Sequence, residues 1–255
     1  TTPGAMVSQP VTLNKGYNNL FVIISNDKGN SPKYVSRYYA GFDTPKPVGN
    51  IKTVVDANTG KATVTWEAPT EGLNDGYLGE ITYDIKRYPE GTVVKTGYVG
   101  TTFEETLPEG ETAVYGYGVT PSNNGITGEE MVSNYVAYGK PITPPFLDGF
   151  DEESDMAYFS VIDANNDGVS WTFEGPRMSN GYDGLVAMNR GEERRDFNDW
   201  LVSPALQLKA NHTYKISFRV SGWSKYYEEQ LEVKYGSAPT VEGMTNTLMP
   251  QTSLK

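Results

Sequence analysis

The chain repeats itself at an offset of 97 residues, and this repeat constrains the fold more than any other feature of the sequence. Six residues are identical within nineteen aligned positions. They are Val22, Asn26, Val35, Ser36, Tyr38 and Ala40 in the first copy, and Val119, Asn123, Val132, Ser133, Tyr135 and Ala137 in the second. Each copy has an alternating strand, an Asn/Gly turn and a second strand that ends in Gly and Pro. The repeat therefore predicts the same pair of strands twice.

The segment before the second copy adds further strands. Apolar side chains alternate with polar ones at Ala62, Val64 and Trp66 and again at Ile81, Tyr83 and Ile85. This alternation predicts strands with one buried and one solvated face. Short strands separated by Pro, Gly and Asn turns are typical of an immunoglobulin-like sandwich. No segment has a convincing helical period, so the predicted fold class is all-β.

Several of these residues resemble the fibronectin type III pattern. They are the Trp66 strand, Leu107, and the Tyr115-x-Tyr117-x-Val119 strand that leads to Asn123 and Gly125. The resemblance implies a complete sandwich over residues 47–140. Residues 1–46 are then the closing strands of a preceding domain of the same kind, whose opening strands lie outside the chain. Pro-rich linkers at 43–47 and 139–145 are predicted to be stiff spacers.

After Pro145 the loops are longer and aromatic residues are more frequent. Alternation at Tyr214, Ile216, Phe218 and Val220, and again at Leu231, Val233 and Tyr235, predicts two half-buried strands.

Two runs in this part resemble a known family. They are Ile162-Asp-Ala-Asn-Asn-Asp-Gly-Val-Ser-Trp171 and Asn198-Asp-Trp-Leu-Val-Ser-Pro204. Together they resemble the cleaved-adhesin, or choice-of-anchor J, jelly roll of bacterial surface proteins and of gingipain-type adhesin regions. The resemblance implies that residues 145–255 are the N-terminal part of a jelly roll that continues beyond the chain. The predicted architecture is thus tandem β-sandwiches, fibronectin type III-like and then jelly roll, cut at both ends. Within the second run, Trp200 is predicted to be a buried structural residue.

The first run also fits a calcium-binding loop. Asp163, Asn165, Asp167, Gly168 and Glu174 match the template D-x-[DN]-x-[DN]-G-x5-E. Alternate oxygen-bearing side chains converge on a hard cation, and the glycine permits the sharp turn. The flanking residues favour strands over helices. The alternative interpretation is a plain Asn/Asp/Gly turn without metal.

A second candidate ligand site is the aromatic loop that contains Trp223, Tyr226 and Tyr227. Aromatic rings on a loop stack on sugar faces, and the neighbouring carboxylates accept hydrogen bonds from hydroxyls. The alternative is that the three rings fold back and cover the core.

Charge and composition exclude several functions. The formal net charge of -11 disfavours nucleic acid and anionic lipid as partners. The chain has no cysteine, so it has no disulfide and no thiolate metal site. No apolar stretch is long enough for a membrane helix, and no signal-peptide pattern is present. His212 is the only histidine and has no nucleophile motif around it, so it is predicted to be a surface turn residue.

Composition does not separate a cytosolic protein from one whose signal peptide lay upstream and was removed, but the adhesin-type resemblance implies a non-catalytic protein that is secreted or held at the outer cell surface. The predicted function is cell adhesion to a glycan or protein of a host or neighbouring cell, with no transmembrane segment in the chain. The alternative function is an accessory carbohydrate-binding module of a secreted polysaccharide-degrading enzyme. Calcium is the one cofactor that the sequence suggests.

Overall fold

Alternating apolar and polar side chains form β-strands as the main regular structure of the described residues, and the predicted all-β fold class is confirmed. The structure is a computed structural model that describes residues 8–174, 186–189, 197–220 and 228–254. Within these residues the only helical element is a 3₁₀ helix at Glu153–Tyr158. The chain divides into two units, one of Thr1–Thr106 with Tyr115–Asn134, the other of Leu107–Val114 with Tyr135–Lys255.

The first copy of the repeat is a twisted hairpin. Its strands are β1 Gly16–Val22, β2 Ser25–Asn26, β3 Gly29–Asn30 and β4 Tyr34–Ala40. β1 and β4 are antiparallel over their full length, and β2 and β3 close the tip. At the tip, the side-chain oxygen of Asn26 accepts the amide of Lys28 at 2.9 Å, and Gly29 has a φ of 132° that favours glycine. The Asn/Gly turn of the sequence is therefore a local hairpin turn.

The middle of the chain forms a two-sheet sandwich. Its strands are β5 Gly49–Val55, β6 Lys61–Glu67, β7 Ile81–Tyr88, β8 Thr92–Tyr98, β9 Thr102–Thr106, β10 Ala113–Asn123, β11 Ile126–Thr127, β12 Met131–Val132 and β13 Val136–Tyr138. One sheet has the order β5-β6-β9. In the other, β10 lies between β7 and the short strands β11 to β13, and β8 pairs with β7. The sheet of β5, β6 and β9 thus opposes the sheet of β7, β8, β10 and the short strands β11–β13. Counted from β5 in chain order, the first, second and fifth strands form one sheet and the others form the second, which is a fibronectin type III-like arrangement.

The predicted alternation places the core of this sandwich correctly. Ala62, Val64 and Trp66 of β6 are all buried, whereas the threonines between them are not. Trp66 packs edge-on against Tyr83 of β7 with ring centroids 5.2 Å apart. Because a large aromatic side chain removes much apolar area from water, replacing it by alanine costs about 3–5 kcal/mol. The two sheets are held together mainly by such contacts.

The repeat of the sequence is also a repeat of strand pairing. Four residue pairs have the same offset of 97 in both copies. Ser25↔Asn30, Asn26↔Gly29, Phe21↔Val35 and Val22↔Tyr34 in the first copy correspond to Ser122↔Thr127, Asn123↔Ile126, Gly118↔Val132 and Val119↔Met131 in the second. The hairpin of residues 16–40 therefore has the register of the closing strands of the sandwich.

The second unit contains three further antiparallel pairs. Its strands are β14 Ser160–Asp163, β15 Trp171–Glu174, β16 Val186–Asn189, β17 Asp199–Val202, β18 Glu229–Tyr235 and β19 Asn246–Leu254. β14 pairs with β17, β15 with β16, and β18 with β19. Among the described residues these pairs do not join into two facing sheets, so the jelly roll stays a prediction.

One predicted strand of this unit is wrong and one is confirmed. β18 contains Leu231, Val233 and Tyr235, as predicted. The segment 212–220 has no regular secondary structure, and the apolar side chains of Ile216 and Phe218 are 59% and 52% exposed. Alternation gives a segment one apolar face, but a strand also needs a neighbour for its backbone hydrogen bonds. No such neighbour lies among the described residues.

Candidate functional site

The two runs that suggested the adhesin-type domain lie side by side. β14 carries the first run and β17 the second, and they pair antiparallel with Ile162 opposite Trp200 and Asp163 opposite Asp199. The amide of Ala164 donates to the carbonyl of Asn198 at 3.0 Å and extends the pairing by one residue. The Asp/Asn loop therefore begins where the second run begins.

The loop closes around the carboxylate of Asp163. One oxygen of this carboxylate accepts the amide of Asp167 at 3.2 Å, and the other accepts the amide of Gly168 at 2.9 Å. The carboxylate of Asp167 accepts the amide of Val169 at 2.8 Å. Asn166 and Gly168 adopt left-handed backbone angles, with φ of 54° and 79°, which asparagine and glycine tolerate best. These contacts explain why Asp, Asn and Gly occupy this turn.

The calcium ligands predicted from the sequence are only partly brought together. Asp163 and Asp167 lie half-buried in the same turn, while Asn165 is exposed. Glu174 is in β15, opposite Val186, and its side chain lies outside what the structure describes. Among the described residues there is no group of three or more His, Cys, Asp or Glu side chains placed to hold a metal. The turn interpretation has direct hydrogen-bond support, and calcium stays a prediction.

Sequence reasoning overlooked Asp199 as part of this site. The run Asn198–Pro204 gives no role to Asp199, yet this residue lies directly opposite Asp163. Cross-strand partners share a face of the sheet, and like charges in this position repel. Positive charge beside the loop would relieve that repulsion. The signal for Asp199 was the pairing of the two runs, which no spacing in the sequence reveals.

Two tryptophans fix the start of β17. The indole nitrogen of Trp171 donates to the carbonyl of Asp199 at 3.1 Å, and that of Trp200 donates to the side-chain oxygen of Asn198 at 3.0 Å. Trp200 is half-buried, whereas Val202 in the same strand is 6% exposed. Trp200 is thus less deeply buried than predicted, and its indole hydrogen bond goes to Asn198 at the start of the second run.

A hollow of about 540 Å³ lies beside the Asp/Asn loop. Its lining combines carboxylate, amide and hydroxyl groups with an apolar floor. The residues are Ile162, Asp163, Ala164, Asn166, Asn198, Pro239, Thr240, Val241 and Glu242. Volumes of this size are typical of small-ligand sites. The lining offers several hydrogen-bond acceptors beside the apolar side chains of Ile162, Pro239 and Val241, which suits a ligand with both polar and apolar faces.

A second hollow of about 600 Å³ lies at residues 145–158, and no sequence motif pointed to it. Phe146 and Tyr158 form its aromatic wall with ring centroids 5.9 Å apart. Asp148, Asp151 and Asp155 also line it. Burial, followed by the neighbouring charges of Asp155 and Asp151, raises the pKa of Asp148 above its ordinary value. The acidic lining would favour a cationic group over an anionic one.

The remaining site candidates add little. Trp223, Tyr226 and Tyr227 lie outside the described residues, so the aromatic-loop hypothesis stays a prediction. His212 is exposed next to the turn at 210–211, and one ring nitrogen lies 3.0 Å from the carbonyl of Ala210. This is the surface position that was predicted.

The linker between the hairpin and the sandwich contains the most completely buried carboxylate in the described chain. Asp43 is 0% exposed. Its carboxylate accepts the amides of Thr44, Asn74 and Gly76 and the side-chain amide of Asn74, at 2.7–2.9 Å. The side-chain amide of Asn123 donates to the carbonyls of Asp43 and Tyr77 at 2.8 and 2.9 Å. We call Asp43, Asn74, Gly76 and Asn123 the linker clamp.

The linker clamp also explains why residue 76 is a glycine and why the pKa of Asp43 is low. A β-carbon at position 76 would lie 2.9 Å from that of Asp43 and closer still to the Tyr39 ring, so the backbone approaches closely only with glycine there. Desolvation raises the pKa of Asp43, but the hydrogen bonds from Asn74, Gly76 and Thr44 outweigh it and hold the pKa below its ordinary value. The segment predicted to be an extended spacer is therefore packed into the fold of the first unit.

Comparisons with known proteins give a limited result. No family model and no curated protein matches the chain. The extracellular domains d3–d4 of rat CD45 overlap 54% of this chain and 72% of their own length, with 18% identity and a TM-score of 0.34. An Fn3-like protein from Clostridium thermocellum overlaps 43% and 97%, with 22% identity and a TM-score of 0.27. Titin domains A168 to A170 overlap 49% and 41%, with 19% identity and a TM-score of 0.32.

The fibronectin type III-like fold of the middle sandwich therefore rests on its own strand order. Within the described residues, no helix has the length and apolar character needed to cross a membrane.

Proposed function

We propose that this chain is part of a non-catalytic extracellular binding protein, secreted or held at the outer cell surface, that acts in adhesion. Its ligand is a glycan or a protein on a host or neighbouring cell. The observation that carries this proposal is the linker clamp, which fixes one repeat copy to the next within the first unit. Repeated sandwiches joined without a free hinge serve well as rigid spacers that present a binding site.

The ligand site in this proposal is the hollow beside the Asp/Asn loop, within the jelly-roll-type domain that the sequence resemblance implies. The side chains of Asp163, Asn166 and Glu242 supply acceptors there, and Thr240 supplies a hydroxyl. Groups of this kind recognise the hydroxyls of a sugar or the backbone of a peptide.

A binding screen with a blocking variant tests the proposal. Thr240→Arg places a long side chain in the hollow, while Ser237→Arg makes the same change at an exposed residue that does not line it. We expect the unmodified chain and Ser237→Arg to bind a defined glycan or cell-surface protein, and Thr240→Arg to bind at least about tenfold more weakly, a loss of about 1.4 kcal/mol. Equal binding by both variants would remove the hollow from the proposal.

The same screen separates adhesion from the alternative function. Strong binding to one plant or microbial polysaccharide, with no binding to cells, would favour an accessory carbohydrate-binding module. In that case Trp223→Ala, Tyr226→Ala and Tyr227→Ala should be tested as well, because stacked aromatic rings are the usual recognition groups for polysaccharide chains. Binding that survives all these changes would exclude both candidate sites.

We further propose that calcium binds the loop of residues 163–174 and stabilises it. The predicted ligands are Asp163, Asn165, Asp167 and Glu174. The position of Asp199 opposite Asp163 supports this proposal, since a dication beside the loop would offset the repulsion between these two carboxylates. A ligand at 100 times its dissociation constant adds about 2.7 kcal/mol to the native state, which raises the melting temperature by several degrees. Identical melting curves in EDTA and in millimolar calcium would leave only the turn interpretation.

A further inference from the structure

The hollow at residues 145–158 has a packed aromatic wall that the proposed ligand site does not use. Besides the contact between Phe146 and Tyr158, Phe159 lies against the ring of Phe146 with centroids 6.2 Å apart, and Phe150 lies against Phe159 at 5.0 Å. The four rings form one cluster, which fixes the segment 146–159 around the hollow. All residues that line this hollow belong to the second unit. We call it the aromatic–acidic hollow.

Among the described residues, no lysine or arginine neutralises the carboxylates of this hollow. Residues 141–158 contain five acidic and no basic side chains. The ion pairs between described residues do not include Asp148, Asp151 or Asp155. Burial raises the pKa of Tyr158, and the charges of Asp148 and Asp155 raise it further. A cation bound here would offset this negative potential.

The hydrogen bonds of two carboxylates indicate which kind of cation fits. One oxygen of Asp148 accepts the amide of Phe150 at 2.9 Å, and one oxygen of Asp155 accepts the amide of Glu152 at 3.0 Å. The second oxygen of each carboxylate is then left for a ligand. A guanidinium binds best to both oxygens of one carboxylate, whereas an ammonium directs three donors to separate acceptors. Single oxygens on different residues therefore favour an ammonium group.

An alkylammonium group also fits the hollow better than a metal ion does. Among the described residues, no three acidic side chains are placed to hold one metal. The methylene stem of a lysine side chain packs along apolar surface while its charge stays near polar groups. Ile142, Pro145 and Phe146 supply apolar surface in the lining. The face of an aromatic ring adds an attraction for the ammonium itself.

The rim of the hollow indicates that the ammonium belongs to a protein. Leu147 lines the hollow and is 88% exposed, the highest value among the large apolar side chains of the described chain. At protein interfaces, apolar contacts around an anchoring side chain exclude water from it. The volume of about 600 Å³ admits a lysine side chain together with its flanking backbone.

We propose that the aromatic–acidic hollow binds a lysine side chain of a protein partner. The ammonium lies between Asp148 and Asp155, the methylene stem lies along Phe146 and Tyr158, and Leu147 contacts the neighbouring residues of the partner. The net charge of -11 favours association with a basic partner. This site is separate from the hollow beside the Asp/Asn loop and does not depend on the ligand proposed there.

Peptide titration followed by NMR tests the inference on the unmodified chain. The probe is the blocked tripeptide acetyl-Ala-Lys-Ala-amide, and two matched peptides carry ε-acetyl-lysine or arginine at the central position. Acetylation removes the charge and keeps the stem, whereas arginine keeps the charge and changes its geometry. We expect the lysine peptide at millimolar concentration to shift the backbone amides of residues 145–158. The acetylated peptide should shift none of them, and the arginine peptide should bind several-fold more weakly.

Matched variants locate the charge that binds the peptide. Asp148→Asn and Asp155→Asn keep an oxygen for the local amide but remove the charge, and each should weaken binding of the lysine peptide at least about tenfold. Asp56→Asn makes the same change in an exposed turn, where the carboxylate also accepts two local amides, and should leave binding unchanged. Phe146→Leu removes the ring but keeps an apolar side chain, and should weaken binding about threefold or more.

Three results would overturn the inference. The first is equal binding of the lysine and ε-acetyl-lysine peptides, or no shift of the amides of residues 145–158 with either. The second is an arginine peptide that binds as tightly as the lysine peptide. The third is displacement of the lysine peptide by calcium chloride but not by sodium chloride of equal ionic strength, since a metal ion would then be the occupant.

Two controls separate this inference from the other proposals. The comparison of peptides uses the unmodified chain, so it stands even where a variant fails to fold, and melting curves identify such a variant. Thr240→Arg blocks the hollow beside the Asp/Asn loop and should leave binding of the lysine peptide unchanged. Loss of binding in Thr240→Arg would place the peptide in that other hollow and would contradict the inference.

Discussion

The two copies of the repeat have the same strand register but opposite burial. In the closing strands of the middle sandwich, Val119 and Asn123 are 0% exposed. In the hairpin at residues 16–40, Val22 is 61% exposed and Asn26 is also exposed. The sequences of the two copies are alike at these positions, so the difference does not come from the hairpin. It comes from the five strands β5–β9, which form a sandwich with the second copy. Among the described residues no corresponding strands pack against the first copy.

This difference separates two levels of structure. Strand pairing and the turn are encoded locally, because alternation and the Asn/Gly tip are present in both copies. Burial is set by what packs against the pair. Matched substitutions at positions 97 residues apart measure the contribution of the covering strands directly, since the local sequence is held nearly constant.

The largest effect is expected for a charge at the repeated valine. Val119→Asp places a carboxylate in the core of the sandwich and should lower the free energy of unfolding by roughly 4 kcal/mol or more. Val22→Asp, at the same position of the exposed copy, should change it by about 0.5 kcal/mol or less. Urea unfolding followed by tryptophan fluorescence measures both. Similar losses would mean that Val22 is covered in solution.

A smaller effect is expected at the repeated asparagine. Asn123→Ala removes the two hydrogen bonds to the carbonyls of Asp43 and Tyr77 and the one accepted from the amide of Gly79. The buried backbone groups lose their partner, at a cost of about 2–4 kcal/mol. Asn26→Ala should cost only a few tenths of a kcal/mol, because its amide lies at the exposed tip. Thermal unfolding of the two variants compares them. A large loss for Asn26→Ala would contradict an exposed hairpin tip.

The linker clamp should give the first unit a pH dependence that the hairpin lacks. The pKa of Asp43 is lowered in the folded state, so its stabilising contribution is fully present above its ordinary value of 3.8 and is lost as the pH falls through the lower folded-state pKa. Asp43→Asn should cost about 1.5–3 kcal/mol at pH 7 and less as the pH falls below 3.8. Urea unfolding between pH 7 and about pH 2.5 measures whether the free energies of unfolding of Asp43→Asn and the unmodified chain converge as the pH falls.

Asp56→Asn is the control for that series. Asp56 lies in an exposed turn, and amide hydrogen bonds from Asn58 and Thr59 likewise lower its pKa. We expect its replacement to have a much smaller effect at pH 7, because an exposed carboxylate is well solvated before and after unfolding. Parallel curves for Asp43→Asn and the unmodified chain at every pH would show that the Asp43 charge does not stabilise the fold.

The smallest effect concerns the ion pair between Lys86 and Glu130 in the second copy, at 2.9 Å. Lys86→Glu places a second carboxylate next to Glu130 and should destabilise the sandwich by about 0.5–1 kcal/mol, since both side chains are partly exposed and water screens them. The double change Lys86→Glu/Glu130→Lys restores an ion pair of reversed polarity and should recover most of the loss. A double variant no more stable than Lys86→Glu would contradict a specific pair at this position.

Prediction from sequence succeeded where the signal was local. The strands at Ala62, Val64 and Trp66 and at Leu231, Val233 and Tyr235 were predicted correctly because period-two alternation was bounded by turn residues. The strand predicted around Ile216 and Phe218 is wrong although its alternation is equally clear. A strand is stabilised by hydrogen bonds to a neighbour, and alternation does not say whether a neighbour exists.

At the candidate site, too, the sequence predicted the local turn but not the contacts between distant segments. The turn at Asp163, Asp167 and Gly168 follows from residue types that favour left-handed backbone and local carboxylate–amide hydrogen bonds. The position of Asp199 opposite Asp163 follows only from the pairing of β14 with β17. The hollow beside the loop adds Thr240 and Glu242 from a segment more than 70 residues away, which no motif connects to the loop.

The sequence by itself determined the strands of both repeat copies, their turns and the register in which they pair, because these depend on side-chain alternation and on the backbone preferences of Asn and Gly within a few residues. The tertiary structure alone decided which copy is buried, that Asp43 is a buried carboxylate in a clamp and not part of a solvated spacer, and which side chains meet beside the Asp/Asn loop. Those outcomes depend on contacts between residues far apart in the chain. Their free energies come from desolvation and from hydrogen bonds that exist only after the strands have assembled.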